Sequence, residues 1–231
     1  MDQPLPEIIY EDQYLLVINK PAGLLSIRDG YDASLPFVRQ LLEPHFGRLW
    51  NVHRLDRETS GVLLLARSPE SHRILNAAFE NHQVQKIYHA IVNGVPPWHE
   101  KLVDVPLKVN GDRRHRTTAD PVNGKHARTH FHILQASAEY SLLEAHPLTG
   151  YTHQIRAHLF TLGFSILGDP LYSLNRSNPI PPVPAALPIQ RLALHAFSIK
   201  FAHPFTKAPL KLVAAYLPDF ASALEAFSLS M

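Results

Sequence analysis

The 231-residue chain contains no cysteine, and none of its apolar runs approaches the ~20 residues that a membrane-spanning helix needs. The absence of cysteine excludes a disulfide framework, a thiolate metal site and a cysteine nucleophile. The N-terminus, MDQPLPEIIYEDQ, is acidic and lacks the basic start and apolar middle of a signal peptide. Together these absences predict a cytoplasmic protein without a membrane segment.

The composition is that of an ordinary globular chain, with 45% apolar and 18% charged residues. The net charge of +2 is too small to identify a nucleic-acid-binding protein. Charge is nevertheless concentrated in residues 108–128, KVNGDRRHRTTADPVNGKHAR, where six Lys or Arg stand against two Asp. This segment fits either a solvated hairpin tip or a loop that grips phosphates through Arg113, Arg114 and Arg116.

The hydrophobic pattern predicts strands that come mostly in hairpins, with few helices between them. Strands are predicted within 7–19 and at 61–66, 85–93, 129–136, 140–146, 191–202 and 210–216. Helices are predicted at 34–46, from Pro69 with Ser68 as N-cap, and at 152–162 with Thr152 as cap. Residues 177–188 contain five prolines and predict an exposed loop. This order favours an α+β fold with a mainly antiparallel sheet, and one continuous catalytic unit over 1–231.

The segment 53–61, HRLDRETSG, places Asp56 between two arginines, Arg54 and Arg57, just before a predicted buried strand. A loop at the end of a buried strand is a rigid mount for a catalytic carboxylate. The residues alone leave two alternatives open, since the arginines could form surface ion pairs and an Asp in a polar loop often caps a turn.

Two further segments carry candidate site residues. In LTGYTHQIRAHL at 148–159, His153 and Arg156 lie three residues apart on the predicted helix. Arg156 borders the buried stripe, so its guanidinium must reach solvent or find an anion. In the predicted strand 85–93, Lys86 and Tyr88 point to one face, where Tyr88 would offer an aromatic platform if that face lines a cleft.

These segments resemble the RluA-type pseudouridine synthase family. HRLDRETSG matches the family signature H-R-L-D-x-x-T-S-G at every defined position. Further family elements follow in register over about residues 8–216. They are Asn19-Lys20-Pro21-Ala22-Gly23-Leu24-Leu25, Lys86-Ile87-Tyr88, the segment 149–159, Gly168-Asp169-Pro170-Leu171-Tyr172 and Leu192-Ala193-Leu194-His195-Ala196.

The resemblance implies a fold with flanking helices around a central cleft, and a role for each matched residue. It implies Asp56 as the catalytic aspartate, Tyr88 as the tyrosine that stacks on the base, and Arg156 as the basic partner of Asp56. It also implies that Arg54 fills the gap left by an extruded base. One position departs from the family pattern: Tyr151 stands where the family usually has Arg. This departure bears on the RNA-backbone contacts expected near this turn.

The same resemblance implies a short, single-domain member without the S4-type RNA-binding domain of many relatives. Its substrate would be structured RNA, either rRNA or tRNA, and we expect Arg57, Lys86 and His153 to contact that RNA. We expect no cofactor and no metal, because the isomerisation adds no atom and leaves the redox balance unchanged. We also expect a monomer.

Two rival interpretations come from other classes. A metal-dependent hydrolase would need a histidine site, but His153 and His158 are spaced i, i+5 and no H-E-x-x-H occurs among the fifteen histidines. A non-catalytic RNA-binding protein on the same fold would be expected to have lost Asp56, Tyr88 or Arg156. All three are present, which favours the enzyme.

Overall fold

The computed structural model describes residues 4–173 and 186–229. Contacts within the chain divide it into two compact units. The first comprises Met1–Lys86 with Ala196–Ala215, and the second comprises Ile87–His195 with Tyr216–Met231.

The first unit is built on antiparallel strands with two helices. Strand β2 pairs with β1 on one side and β4 on the other, β3 pairs with β4, and β12 pairs with β11. The elements are β1 (Glu7–Glu11), β2 (Leu15–Lys20), α1 (Val38–Phe46), β3 (Trp50–Asn51), β4 (Ser60–Ala66), α2 (Pro69–Glu80), β11 (Leu194–Ala202) and β12 (Pro209–Val213).

The second unit carries a four-stranded antiparallel arrangement in the order β5-β10-β9-β6, and a small hairpin of β7 and β8. Its elements are β5 (Gln85–Asn93), β6 (Glu100–Asp104), β7 (Leu107–Lys108), β8 (Thr118–Ala119), β9 (Arg128–Ala136), β10 (Tyr140–Pro147), α3 (Gln154–Thr161) and α4 (Pro218–Ala226).

Each unit has its own apolar core. In the first, the apolar runs of β2 and β4 are buried at every position, and Leu75 of α2 packs beside them. In the second, β5 and β10 pack with Ile155 and Leu159 of α3 and with Phe220 of α4. Continuous burial explains why β2 and β4 read as apolar runs rather than as alternating strands.

Helix α2 begins where the sequence predicts. The Ser68 hydroxyl accepts a hydrogen bond from the Ser71 N–H, and the Ser71 side chain bonds back to the Ser68 backbone. Pro69 occupies the first turn, where a missing N–H costs nothing. The capping box therefore fixes this helix start locally.

Other boundaries differ from prediction. Helix α1 begins at Val38 rather than at 34, because residues 32–34 form a turn in which Asp32 accepts hydrogen bonds from Ser34. The prediction that Thr152 caps α3 was wrong, since the N-cap is His153 in the left-handed region at φ 57°. Strands β3 and β6, the β7–β8 hairpin and α4 were not predicted, and the proline-rich segment lies mostly outside the described residues.

The remaining predicted strands are present, and the fold class is confirmed as α+β with a large, mostly antiparallel sheet and four described helices. Within the described ranges, no helix is long and apolar enough to cross a membrane.

Candidate active site

The loop that carries Asp56 is held by backbone contacts on both sides of that residue. Before it, Leu55 donates its N–H to the Ser26 hydroxyl, which in turn donates to the Leu55 carbonyl. After it, the Arg57 carbonyl accepts from the Gly23 N–H at 2.9 Å, and Arg57 Nε donates to the Gly23 carbonyl. The segment 20–26 therefore clamps the loop, and Asp56 lies between the two clamped residues.

Lys20 is part of this clamp, although its ammonium is fully buried. Its Nζ donates to the carbonyls of Pro21, Leu24 and Arg57 at 2.7–3.1 Å. Oxygen atoms that converge in this way compensate for the loss of water around the charge. The contact with Arg57 spans 37 residues of sequence and ties the NKPAGLL motif directly to the HRLDRETSG motif.

His53, the first residue of the HRLDRETSG motif, is a structural histidine. Its Nε2 accepts the N–H of Leu64 in β4 at 2.9 Å, and its ring stacks on Phe79 at 4.9 Å between centroids. Desolvation, together with the nearby charge of Lys86, lowers its pKa to about 3. A neutral ring that accepts from β4 fixes the start of the loop against the strand into which the loop runs.

Gly61, the last residue of the motif, allows a close approach between strands. Its φ is +109°, and a Cβ atom there would lie 2.3 Å from the carbonyl oxygen of Ala196. No side chain fits at this distance, so glycine is required by both backbone conformation and packing.

In the second unit, Arg156 forms a buried bidentate ion pair with Asp169. Arg156 Nε and one terminal nitrogen donate to the two carboxylate oxygens of Asp169, each at 2.8 Å. Asp169 Oδ1 also accepts the backbone N–H groups of Leu171 and Tyr172. This fork geometry fixes the plane of the guanidinium.

Gly168 makes the turn that presents Asp169. Its φ is +70°, and a Cβ atom there would lie 2.1 Å from the carbonyl oxygen of Arg191. The GDPLY motif is thus a platform for Arg156, a relation that the sequence analysis did not predict.

Three of the predicted site residues lie close to the side chain of Tyr172. Its hydroxyl lies 3.2 Å from His153 Nδ1, and its ring centre is 5.0 Å from Cζ of Arg156 and 5.9 Å from Cζ of Arg116. Its hydroxyl also accepts the Thr117 N–H and donates to the Thr117 carbonyl. Burial is the main cause that raises its pKa to about 12, so it stays protonated.

The turn before α3 is held by Gln154. Its side-chain oxygen accepts from the Thr149 hydroxyl and the Tyr151 N–H, and its amide donates to the Arg128 carbonyl. The Tyr151 ring packs against the small apolar cluster that contains Ala157 and Tyr172. Tyr151 therefore contributes to packing at this turn.

Tyr88 and Lys86 lie half-buried on β5, and Tyr88 packs against the second unit's core. Desolvation lowers the pKa of Lys86, so burial opposes its charge. His89, the next residue after Tyr88, faces the other side of the strand and contacts the Tyr216 hydroxyl through Nδ1.

The remaining predicted RNA-binding residues differ in exposure. Arg54 and Arg57 are exposed in the loop of the first unit, and Arg113 and Arg114 are exposed beyond β7. Arg116 is half-buried: its Nε donates to Asp112 at 2.7 Å and a terminal nitrogen donates to the Leu171 carbonyl. Of the three arginines predicted to grip phosphates, Arg113 and Arg114 are thus exposed, and Arg116 holds the loop to the GDPLY platform.

The sequence analysis missed Lys20 and Ser26 as supports of the Asp56 loop, and it missed Asp169 and Tyr172 as neighbours of Arg156. All but Ser26 lie in motifs that it quoted, so their positions were visible while their contacts were not. A buried lysine and an aspartate in a turn could have been singled out by asking what partner each needs.

The chain is similar to several known proteins. A family model described as RNA pseudouridylate synthase matches residues 14–160. An uncharacterised RNA pseudouridine synthase of Zymomonas mobilis is 42% identical over 203 residues, covering 84% of this chain and 87% of the relative. The tRNA pseudouridine synthase C of Vibrio cholerae is 36% identical, covering 90% of each chain.

A longer relative and a solved structure extend the comparison. The ribosomal large subunit pseudouridine synthase C of Vibrio cholerae is 39% identical over 90% of this chain, which spans only 64% of that relative's length. The structure of human RNA pseudouridylate synthase domain containing 4 superposes with a TM-score of 0.80 at 28% identity, covering 97% of this chain and 94% of that one. The chain therefore belongs to the RNA pseudouridine synthase family, as a member of its RluA type.

Proposed function

We propose that this enzyme converts specific uridines of a structured rRNA or tRNA into pseudouridine, with Asp56 as the catalytic carboxylate. The observation that carries the proposal is the clamped HRLDRETSG loop, in which Leu55 and Arg57 are both fixed and Asp56 stands between them. The names of the relatives support both rRNA and tRNA as substrate classes. One relative is a ribosomal large subunit pseudouridine synthase and another is a tRNA pseudouridine synthase.

The reaction is an isomerisation within one nucleotide. The C1′–N1 bond breaks, the free uracil turns, and C5 joins C1′ while the hydrogen on C5 leaves as a proton and N1 gains one. No electrons are gained or lost, so the balance needs neither a redox cofactor nor a metal. Asp56 could attack the sugar, attack the base or remove a ribose proton, and each route needs an ionised carboxylate shielded from water.

The proposal assigns Tyr88 to stacking on the uracil and Arg156 to electrostatic support of Asp56. A uridine stacked in a helix is inaccessible, so it must leave the stack at a cost of a few kcal/mol, and an aromatic ring recovers part of that cost. The rigid pairing of Arg156 with Asp169 supports the assignment, because a fixed guanidinium stabilises charge without reorganising.

RNA contacts are proposed for the basic and histidine side chains around this machinery. Arg54 is assigned to the gap left by the extruded base, and Arg57, Lys86 and His153 to nearby phosphates or sugars. Arg113 and Arg114 are assigned to phosphates further along the RNA, since both are solvent-exposed.

The decisive test compares Asp56→Asn with Glu58→Gln, a matched loss of one carboxylate from the same loop. Turnover is measured as tritium released from RNA that carries ³H at C5 of uridine, because that hydrogen leaves only when C5 bonds to C1′. We expect no release by Asp56→Asn, with normal folding and RNA binding, and release near the wild-type rate by Glu58→Gln. Measurable turnover by Asp56→Asn that is free of contaminating enzyme would refute the assignment.

A further inference from the structure

One face of the second unit's strands carries an unusual concentration of histidine and acidic side chains. On β9, His130 and His132 point to the same face, since residues two apart on a strand do so. Cross-strand pairing places Glu100 of β6 directly opposite His132. The next strand, β10, places His146 opposite His130 and Glu144 opposite His132.

Three of these side chains converge on one point. One oxygen of Glu100 lies 3.7 Å from His130 Nε2 and 3.5 Å from His132 Nδ1. All three potential ligand atoms lie within 4.8 Å of one another. Bond lengths of about 2.0–2.2 Å to nitrogen and oxygen imply ligand separations of about 3.3–3.5 Å in a tetrahedral site, close to the two measured distances.

The third distance, between His130 Nε2 and His132 Nδ1, can adjust because both side chains are partly exposed and can rotate. The side chains of His130 and His132 are 34% and 38% exposed, and their ring centroids are 4.3 Å apart. Both residues sit on one strand and Glu100 on its hydrogen-bonded neighbour, so the backbone holds the three Cα positions while the rings adjust. A fourth position stays open to water on the exposed side.

The surroundings favour a cation at this place over a neighbouring one. His146 Nε2 bonds Glu144 at 2.6 Å, which places a further carboxylate beside the cluster. Further along the face, His126 also lies 3.0 Å from a carboxylate, that of Asp104. There the Arg128 guanidinium lies 3.4 Å from the same carboxylate and would repel a metal ion.

We propose that Glu100, His130 and His132 form a binding site for a divalent transition metal of the zinc type. Two imidazoles and one carboxylate with an open fourth position are a ligand set that suits Zn²⁺. The metal would join β6, which is the last strand in this unit's order, to β9 and so stabilise the fold. It would lie on the face opposite Tyr88, because His89 shares the row of Glu144 and His132 while Tyr88 alternates away from it.

The test uses full-length protein without a histidine tag, stripped of metal with a chelator that is then removed. Zn²⁺ binding is measured by calorimetry, and Co²⁺ substitution is followed through the visible bands of the tetrahedral ion. We expect one tight site per chain and a higher unfolding midpoint with Zn²⁺ than with Mg²⁺. His132→Gln and Glu100→Gln should each weaken binding at least about tenfold and remove the gain in midpoint.

The matched control is His126→Gln, which removes a carboxylate-paired histidine from the same face. Its affinity for Zn²⁺ should equal that of the wild type. Only weak binding spread over several sites, or equal loss in His126→Gln and His132→Gln, would overturn the proposal. An unchanged midpoint at saturating Zn²⁺ would overturn the stabilising role.

Discussion

The pair of Arg156 and Asp169 shows how one residue contact links stability to the proposed catalysis. Asp169 presents a side chain that is 0% exposed, and two backbone N–H groups add to the bidentate guanidinium as partners. Removing one member of a buried ion pair leaves the other charged and desolvated, at a cost of about 3–5 kcal/mol. The geometry of Arg156 therefore depends on a residue that takes no part in the proposed chemistry.

We predict that Arg156→Met lowers the free energy of unfolding by about 3–5 kcal/mol and abolishes tritium release. Arg156→Lys keeps the charge but loses the planar fork, so it should retain a trace to a modest fraction of activity.

The matched control is Arg39→Met, which breaks the surface pair with Glu43 on α1. Exposed pairs contribute about 0–1 kcal/mol, so urea unfolding should show a small change and normal turnover. Arg156→Met with the wild-type rate of tritium release would make Arg156 a purely structural residue.

At the scale of elements, the loop 108–128 combines a structural anchor with solvent-exposed cations. Arg116 binds Asp112 and the Leu171 carbonyl, so its loss would loosen the loop itself. Arg113 and Arg114 are exposed, although one nitrogen of Arg114 lies 3.4 Å from the Pro170 carbonyl. A test of phosphate binding should therefore change these two and leave Arg116 intact.

We predict that Arg113→Gln with Arg114→Gln weakens RNA binding and lowers its salt dependence by about 0.7–0.9 log units of slope per lost phosphate contact. The rate at saturating RNA should change little. Affinity is measured from 50 to 200 mM salt, with Lys101→Gln and Lys211→Gln as a control of equal charge in exposed positions elsewhere. An unchanged slope in the loop variant would show that the loop is a solvated tip.

The elements also show which features the sequence could predict and why other elements and contacts were missed. Ser68 and Pro69 fix the start of α2 through neighbours in sequence, so the helix was predicted correctly. Strand β6 was missed because its apolar and polar residues alternate only weakly. The sequence analysis looked for metal-binding histidines at helical spacing and therefore did not consider a pair on a strand. His130 and His132 lie two residues apart on β9, and Glu100 comes close to them only through the register between β6 and β9.

At the scale of the whole molecule, buried neutral histidines make stability depend on pH. Burial lowers the pKa of His89 to about 4 despite the nearby Glu144 carboxylate, and burial also lowers the pKa of His158. The unfolded chain binds protons at these residues near pH 6.5, whereas the folded chain does not until lower pH. Folded stability therefore falls as pH drops from about 6.5 towards 4.

We predict that the free energy of unfolding rises with pH across this window, by up to about 1.4 kcal/mol per pH unit for each such histidine. His89→Gln should flatten the slope by about one proton, and His45→Gln, an exposed histidine of α1, should not. Urea titrations at pH 5 and 7 give the slopes. Equal slopes in His89→Gln and wild type would mean that folding does not shift the pKa of His89.

We also predict that turnover survives exhaustive chelation, because the isomerisation needs no metal and the proposed zinc site lies on the face opposite Tyr88. The RNA must be a substrate that folds without magnesium, so that chelation acts on the protein alone. Tritium release is compared before and after EDTA. Loss of activity that one transition metal restores would instead revive a metal-dependent mechanism.

The sequence by itself determined the family, the order of most elements and the residues proposed for chemistry. These follow from short motifs such as HRLDRETSG and from periodicity, in which each residue's neighbours in sequence carry the information. Only the tertiary structure decided that Lys20 and Ser26 clamp the Asp56 loop, that Asp169 orients Arg156, and that Glu100 meets His130 and His132. Those contacts join residues 13 to 37 positions apart, where strand register and loop path, rather than local preference, set which side chains meet.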